Sequence, residues 1–221
     1  MLITCDESTE YKIKVVGSIS IPFEDFLKFE SFVNSERLEQ KVFGELKWQK
    51  IQQDGKYLNF YLKLITELFS YPQVIFHSNS YKGNKYKASY ALVRSISWKM
   101  QNISKLCEIG ILFDYEGKKG VEETELSRDI FQKDIKHKVI FCTQIDSKIF
   151  NIMQITDILT GCVSYRKNIE EITIKGRNNS IKENFINKIE KEVDGGNCCT
   201  LTTAGLWKYN GGKRLQHYNL S

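Results

Sequence analysis

Histidine is scarce in this sequence. It occurs only at His77, His137 and His217, and none is spaced with a cysteine as a zinc site requires. The six cysteines (Cys5, Cys107, Cys142, Cys162, Cys198, Cys199) include no Cys-x-x-Cys pair, and four of them sit in apolar runs, where cysteine behaves as a small hydrophobe. A disulfide framework is therefore not expected, and the neighbours Cys198-Cys199 read as an incidental pair. A Gly-x-Ser-x-Gly elbow is missing, and so few histidines offer little for a catalytic triad. Neither Gly117-Lys118-Lys119-Gly120 nor Gly211-Gly212-Lys213-Arg214 fits the phosphate-loop pattern. No stretch approaches the roughly 20 apolar residues of a membrane span. Asp6, Glu7 and Glu10 stand where a secretory leader needs an apolar run. These absences lead us to expect a cytoplasmic, reduced protein with no membrane partner.

What is present is an ordinary globular composition. Hydrophobic residues make up 41% and charged residues 27%, enough for one domain with a substantial core. Lys+Arg 32 against Asp+Glu 27 leaves +5, which suits a polyanionic partner without requiring one. No internal repeat or low-complexity linker interrupts the chain. We expect a single unit over residues 1–194 and a loop or tail over 195–221, where two Gly-Gly pairs fall.

Leu2–Cys5 and Ile13–Ile21 read as strands rich in β-branched residues. Phe23–Gln40 and Tyr57–Phe69 carry apolar residues at helical spacing. Pro72 stops the second, and Val74–His77 follows as a short strand. Lys85–Leu106 gives the longest helical pattern. Ile109–Phe113 is a continuous apolar run, the signature of a strand buried on both faces of a parallel sheet. A helix at Glu122–Lys136, a strand at Val139–Thr143 and helices at Phe150–Tyr165 and Ser180–Val193 complete the pattern. Strands alternating with helices after an antiparallel start indicate an α/β fold with a mixed sheet flanked by helices.

The informative residues are acids placed where burial is expected. Asp157 lies in a helical segment that is apolar nearly all round, with Gln154 on the same face and Gly161 one turn on, leaving that face open to close approach. The competing reading is a carboxylate satisfied by a lysine or a backbone amide. Asp6 ends an apolar strand, and alternation puts Leu2, Thr4 and Asp6 on one face and Glu7 on the other. Asp114, with Glu116 beyond it, ends a second apolar strand, and ligands gather beyond the carboxyl ends of strands in α/β sheets. Glu45, in Gly44-Glu45-Leu46-Lys47-Trp48, says little alone. Clustered carboxylates repel unless a cation meets them. Oxygen donors suit magnesium or manganese, and a pair of such ions about 3.5–4 Å apart serves phosphodiester hydrolysis.

Tyr81-Lys82-Gly83-Asn84-Lys85-Tyr86-Lys87 interleaves lysines with tyrosines, so Lys82, Lys85 and Lys87 are candidates for gripping a nucleic-acid backbone. An ordinary solvated loop is the plainer alternative. Lys148 follows Ser147 at the start of the Asp157 helix, where free amides favour an anion.

With these motifs in hand, the chain resembles a large prokaryotic family, domain-of-unknown-function family 3800. The resemblance covers about residues 2 to 167. It rests on Asp6-Glu7-Ser8, Glu45-Leu46-Lys47-Trp48, the strand-end Asp114, and Ser147-Lys148 followed by Gln154 and Asp157, in that order. Thr9 departs from the glycine usual in that family, which touches the turn after the first strand and not the acids. The family is similar to ribonuclease H-like folds, whose acidic clusters bind two divalent metals.

The resemblance implies a metal-dependent nuclease acting on DNA or RNA. Asp6, Asp114 and Asp157 would be metal ligands, and Glu45 a fourth ligand or a positioner of water. Glu7, Lys47, Lys148 and Gln154 would support them, with a divalent cation (Mg or Mn) as cofactor. The alternative is a non-catalytic nucleic-acid or protein-binding module on the same fold, in a prokaryotic defence or mobile-element setting.

Overall fold

β-Branched residues within the first hairpin, Ile3 and Thr4 on one strand and Val15, Val16, Ile19 and Ile21 on the other, suit it to the middle of a sheet. The computed structural model describes residues 1–8, 13–52, 57–81, 107–114, 124, 128–129, 132–133, 137–171, 180–193 and 215–219. Strand β1 (Leu2–Ser8) pairs antiparallel with β2 (Lys14–Ile21), and β2 pairs antiparallel with β3 (Ile75–Tyr81). On its other side β1 meets β4 (Glu108–Asp114) in parallel, and β4 meets β5 (Lys138–Ile145), also in parallel. A last strand, β6 (Leu215–Asn219), lies parallel to β3. The mixed sheet therefore has six strands in the order β5-β4-β1-β2-β3-β6.

Helices α1 (Phe23–Gln40), α2 (Leu58–Ser70), α3 (Asn151–Glu171) and α4 (Ser180–Val193) accompany the sheet. The fold class is the expected one: α/β, with a mixed sheet and flanking helices. Alternation along β1 divides the core. Leu2 joins Val15, Ile19 and Ile21 beneath α3, whereas Ile3 and Cys5 pack with Val16, Ile109 and Ile111 on the opposite face. Among the described residues, no helix is long and apolar enough to cross a membrane.

Helix α3 lies very close to the sheet because small and hydroxyl-bearing residues meet there. A Cβ on Gly17 would come within 2.0 Å of Thr160 Oγ1, so only glycine permits this approach. Thr160 Oγ1 donates to the Thr156 carbonyl (2.7 Å), and the hydroxyls of Thr156 and Thr4 are 2.7 Å apart. This last bond fixes α3 against β1 one residue short of Asp157 and two short of Asp6.

Several boundaries differ from the sequence expectation. β1 does not stop at Cys5; it runs through Asp6 and Glu7, paired with Gly17 and Val16. α3 continues past Tyr165 to Glu171, because Lys167 and Asn168, polar as they are, stay buried. Asn168 bonds the backbone N–H and carbonyl of Ile13, each at 3.0 Å. The helix begins at Asn151 and not at Phe150, and Ile149 before it is 61% exposed. Leu215–Asn219, expected as loop or tail, forms a strand because β3 offers it an edge. Lys85–Leu106 lies outside the described residues. The described residues within Glu122–Lys136 are helical.

A candidate carboxylate site

Parallel neighbours end together. Cys5 is in register with Phe113, so Asp6 and Asp114, the next residue of each strand, stand side by side where β1 and β4 part. The third acid comes from α3, which the Thr4–Thr156 contact holds so that Asp157 faces Asp6.

The carboxyls of Asp6 and Asp157 are hydrogen-bonded to each other. Burial pushes Asp6 well above the usual aspartate range. The charges of Asp157 and then Asp114 push it further, and the Glu7 amide, donating to Asp6 Oδ1 at 2.8 Å, opposes the shift. Asp157 is raised as well, first by burial. It is held down by the Trp48 amide, which donates to its Oδ2 at 3.0 Å, and by the charge of Lys47. The two acids act as a coupled pair, and burial together with their mutual repulsion favours a proton on the pair. Asp157 thus takes an amide and feels a lysine, and it also stands beside Asp6 and Asp114.

The segment carrying Glu45 and Lys47 is held by its amides. Consecutive backbone N–H groups of Leu46, Lys47 and Trp48 donate to Gln154 Oε1 (2.7 Å), the Tyr61 phenol and Asp157 Oδ2 (3.0 Å). Burial pushes Tyr61 up to about 12, so it remains a neutral phenol. The same Gln154 oxygen accepts Arg37 Nη2 (2.7 Å), and its Nε2 donates to the Ser147 carbonyl (3.1 Å). Arg37 Nη1 also reaches the Gly44 carbonyl (3.0 Å). These hydrogen bonds of Gln154 go to the frame and not to the acids. It ties α1, the 44–48 segment and the β5–α3 connection into one frame around them.

That frame aims two more side chains. Glu45 Oε1 accepts from Ser147 Oγ (3.2 Å) and pairs with Lys47 Nζ (3.2 Å), while the Ser147 amide donates to Asp114 Oδ1 (3.2 Å). Burial alone would lower Lys47. Its bond to Glu45, helped by the charges of Asp157 and Asp114, outweighs that and leaves it raised.

Trp48 explains Gly161. A Cβ on Gly161 would lie 2.2 Å from Trp48 Cγ, so the indole rests directly on the helix backbone one turn beyond Asp157. The ring stands edge-on to Tyr165, with centroids 5.9 Å apart.

The structure brings Asp6, Asp114, Asp157, Glu45 and Lys47 together, and Gln154 serves as their scaffold. Two supporting residues are placed differently. Glu7 points to the opposite face of β1, and its contribution to Asp6 comes from its backbone amide. Lys148 is exposed, and the amides expected to favour a phosphate there are taken. Glu30 of α1 accepts from Asn151 N (3.1 Å) and Ile152 N (2.8 Å), and Lys148 N donates to Asp146 Oδ1 (3.0 Å). A carboxylate from another helix already fills that helix end. Lys82, Lys85 and Lys87 lie outside the described residues. Sequence reasoning missed Arg37, Tyr61 and Glu30, because each reads locally as an ordinary residue of an amphipathic helix.

All-oxygen donors of this kind match a hard divalent ion in chemistry. The acids do not form a ready cage, however: among the described residues, no three His, Cys, Asp or Glu groups are placed to hold a metal ion together.

No protein-family model matches the chain. No curated protein matches it either. Among solved structures, it is similar to ribonuclease H2 from Pyrococcus horikoshii OT3, at 10% identity over 79% of this chain and 76% of the other, with a TM-score of 0.47. It is also similar to ribonuclease HII from Archaeoglobus fulgidus, solved in complex with PCNA, at 10% identity over the same shares, with a TM-score of 0.44. At that identity and those TM-scores, neither likeness carries an argument about the chain's family, site, substrate or activity.

Proposed function

We propose that this chain is a metal-dependent nuclease that hydrolyses phosphodiester bonds of DNA or RNA, and that it belongs to domain-of-unknown-function family 3800. The observation that supports this best is the hydrogen-bonded pair Asp6–Asp157, with Asp114 beside it, at the parting of two parallel strands. Proteins seldom leave acids so close together without a cation to meet them.

In this reading Asp6, Asp114 and Asp157 hold magnesium or manganese once the shared proton has left. A bound divalent ion would supply charge stabilisation at the reacting phosphate. The chain's own groups do the rest. Glu45, aimed by Ser147 and Lys47, orients a water through its carboxylate. Lys47 offsets phosphate charge at the solvent side of the cluster. Trp48 and Gln154 hold the geometry, and Lys82, Lys85 and Lys87 grip the nucleic-acid backbone.

A second reading is a nucleic-acid or protein-binding module without catalysis. Calorimetric titration with Mn2+, run beside cleavage assays on labelled single-stranded and duplex DNA and RNA, separates the two. The nuclease reading expects uptake of Mn2+ and metal-dependent cleavage that Asp157→Asn abolishes. Binding of nucleic acid with neither metal uptake nor cleavage would select the module.

A further inference from the structure

Lys182, on α4, is fully buried, an unusual position for a lysine. Its ammonium lies 4.2 Å from the centroid of the Trp48 ring and 5.8 Å from that of Tyr165. Trp48 is itself wedged against Gly161 and edge-on to Tyr165, so cation, indole and phenol form one packed unit. At the other end of the same residue, the Trp48 amide donates to Asp157. One tryptophan thus joins a buried cation to a carboxylate of the candidate site.

We infer that Lys182 is a positioning residue for Asp157, acting through Trp48. A cation over a desolvated indole face attracts the ring along its normal and resists its sliding or tilting. Glycine at 161 allows the ring to settle onto α3, and Lys182 presses it there from α4. With the ring fixed, the Trp48 N–H keeps its direction toward Asp157 Oδ2. An aliphatic side chain of equal length would fill the space without supplying that directional hold. A guanidinium would keep the charge and could stack on the ring. The inference rests on the proposed role of Asp157, but its structural half is testable without metal or substrate.

The test compares Lys182→Met and Lys182→Arg with the wild-type chain by amide hydrogen exchange and by Mn2+ titration. In Lys182→Met the Trp48 amide should exchange roughly tenfold faster or more. The Leu46 amide, held in the same segment by Gln154, serves as the internal control and should change far less. Mn2+ affinity should fall several-fold in Lys182→Met and recover in Lys182→Arg. Equal loss of protection at Leu46 and Trp48 would reduce Lys182 to general packing, and unchanged protection at Trp48 in a folded Lys182→Met variant would overturn the inference. Should the wild-type chain take up no Mn2+, the nuclease reading fails while the exchange result still decides the clamp.

Discussion

The carboxyls of Asp6 and Asp157 share a hydrogen bond although they come from opposite ends of the chain. The contact depends on two hydroxyls, Thr4 and Thr156, meeting two positions before Asp6 and one before Asp157. Burial and mutual repulsion hold both acids above the ordinary aspartate range, and that strain is where a cation would act. It also makes the pair a place where stability, pH and metal binding should be linked.

Replacing Asp157 by Asn keeps the volume, an acceptor for the Trp48 amide and a donor toward Asp6. Metal uptake and cleavage should be lost while the fold persists. The metal-free melting temperature should rise by roughly 2–4 °C, the response of a chain this size to about 1 kcal/mol. Thermal unfolding with and without Mn2+ checks both points. Wild-type cleavage by this variant would make Asp157 a packing residue.

Both acids are raised above their ordinary value of 3.8 in the folded chain. Between that value and their folded values the native state binds more protons than the unfolded one, so stability falls as pH rises through this window. Below about pH 3.8 the pair makes no difference. Melting temperature should therefore decline from mildly acidic toward neutral pH more steeply in the wild type than in Asp157→Asn. Parallel curves for the two proteins would show that the acids do not share a proton.

Gln154→Leu preserves bulk but removes an acceptor for the Leu46 amide and Arg37 and a donor to Ser147. A loss of about 2–4 kcal/mol is expected, since buried donors are left unsatisfied. Urea denaturation measures it directly. A change under about 0.5 kcal/mol would place water, not Gln154, at the centre of this frame.

Gly161→Ala should destabilise by about 1–3 kcal/mol, because the added methyl falls on the Trp48 ring and the close-packed interior cannot absorb it. Metal affinity should drop along with stability as the Trp48 amide is displaced from Asp157. Retention of wild-type affinity would separate Trp48 from the site.

Changing Lys82, Lys85 and Lys87 together to Ala should weaken nucleic-acid binding whatever the base sequence. The slope of log affinity against log salt should flatten by roughly 0.7–0.9 per lost phosphate contact. Affinities at several salt concentrations supply the slope. If it does not change, these lysines are an ordinary solvated loop.

Local sequence by itself determined the elements and the chemistry available to them. β-Branched and continuous apolar runs marked β1 to β5, helical spacing marked α1 to α4, and acids after apolar runs marked Asp6 and Asp114 as strand-end groups. Gly161, four residues after Asp157, already told of a close approach on that face. Only the tertiary structure decided which residues meet. The parallel register of β1 and β4 set Asp6 beside Asp114, and a Thr–Thr contact across the sheet brought in Asp157. Arg37, Tyr61 and Glu30 gained their roles from other elements, so no local pattern could mark them. Glu30 shows why: an exposed-looking acid of α1 fills the amide end of α3, a place the sequence of α3 alone offers to a phosphate. Periodicity is a property of one segment, whereas a site is made by long-range contacts whose geometry depends on how all the segments pack.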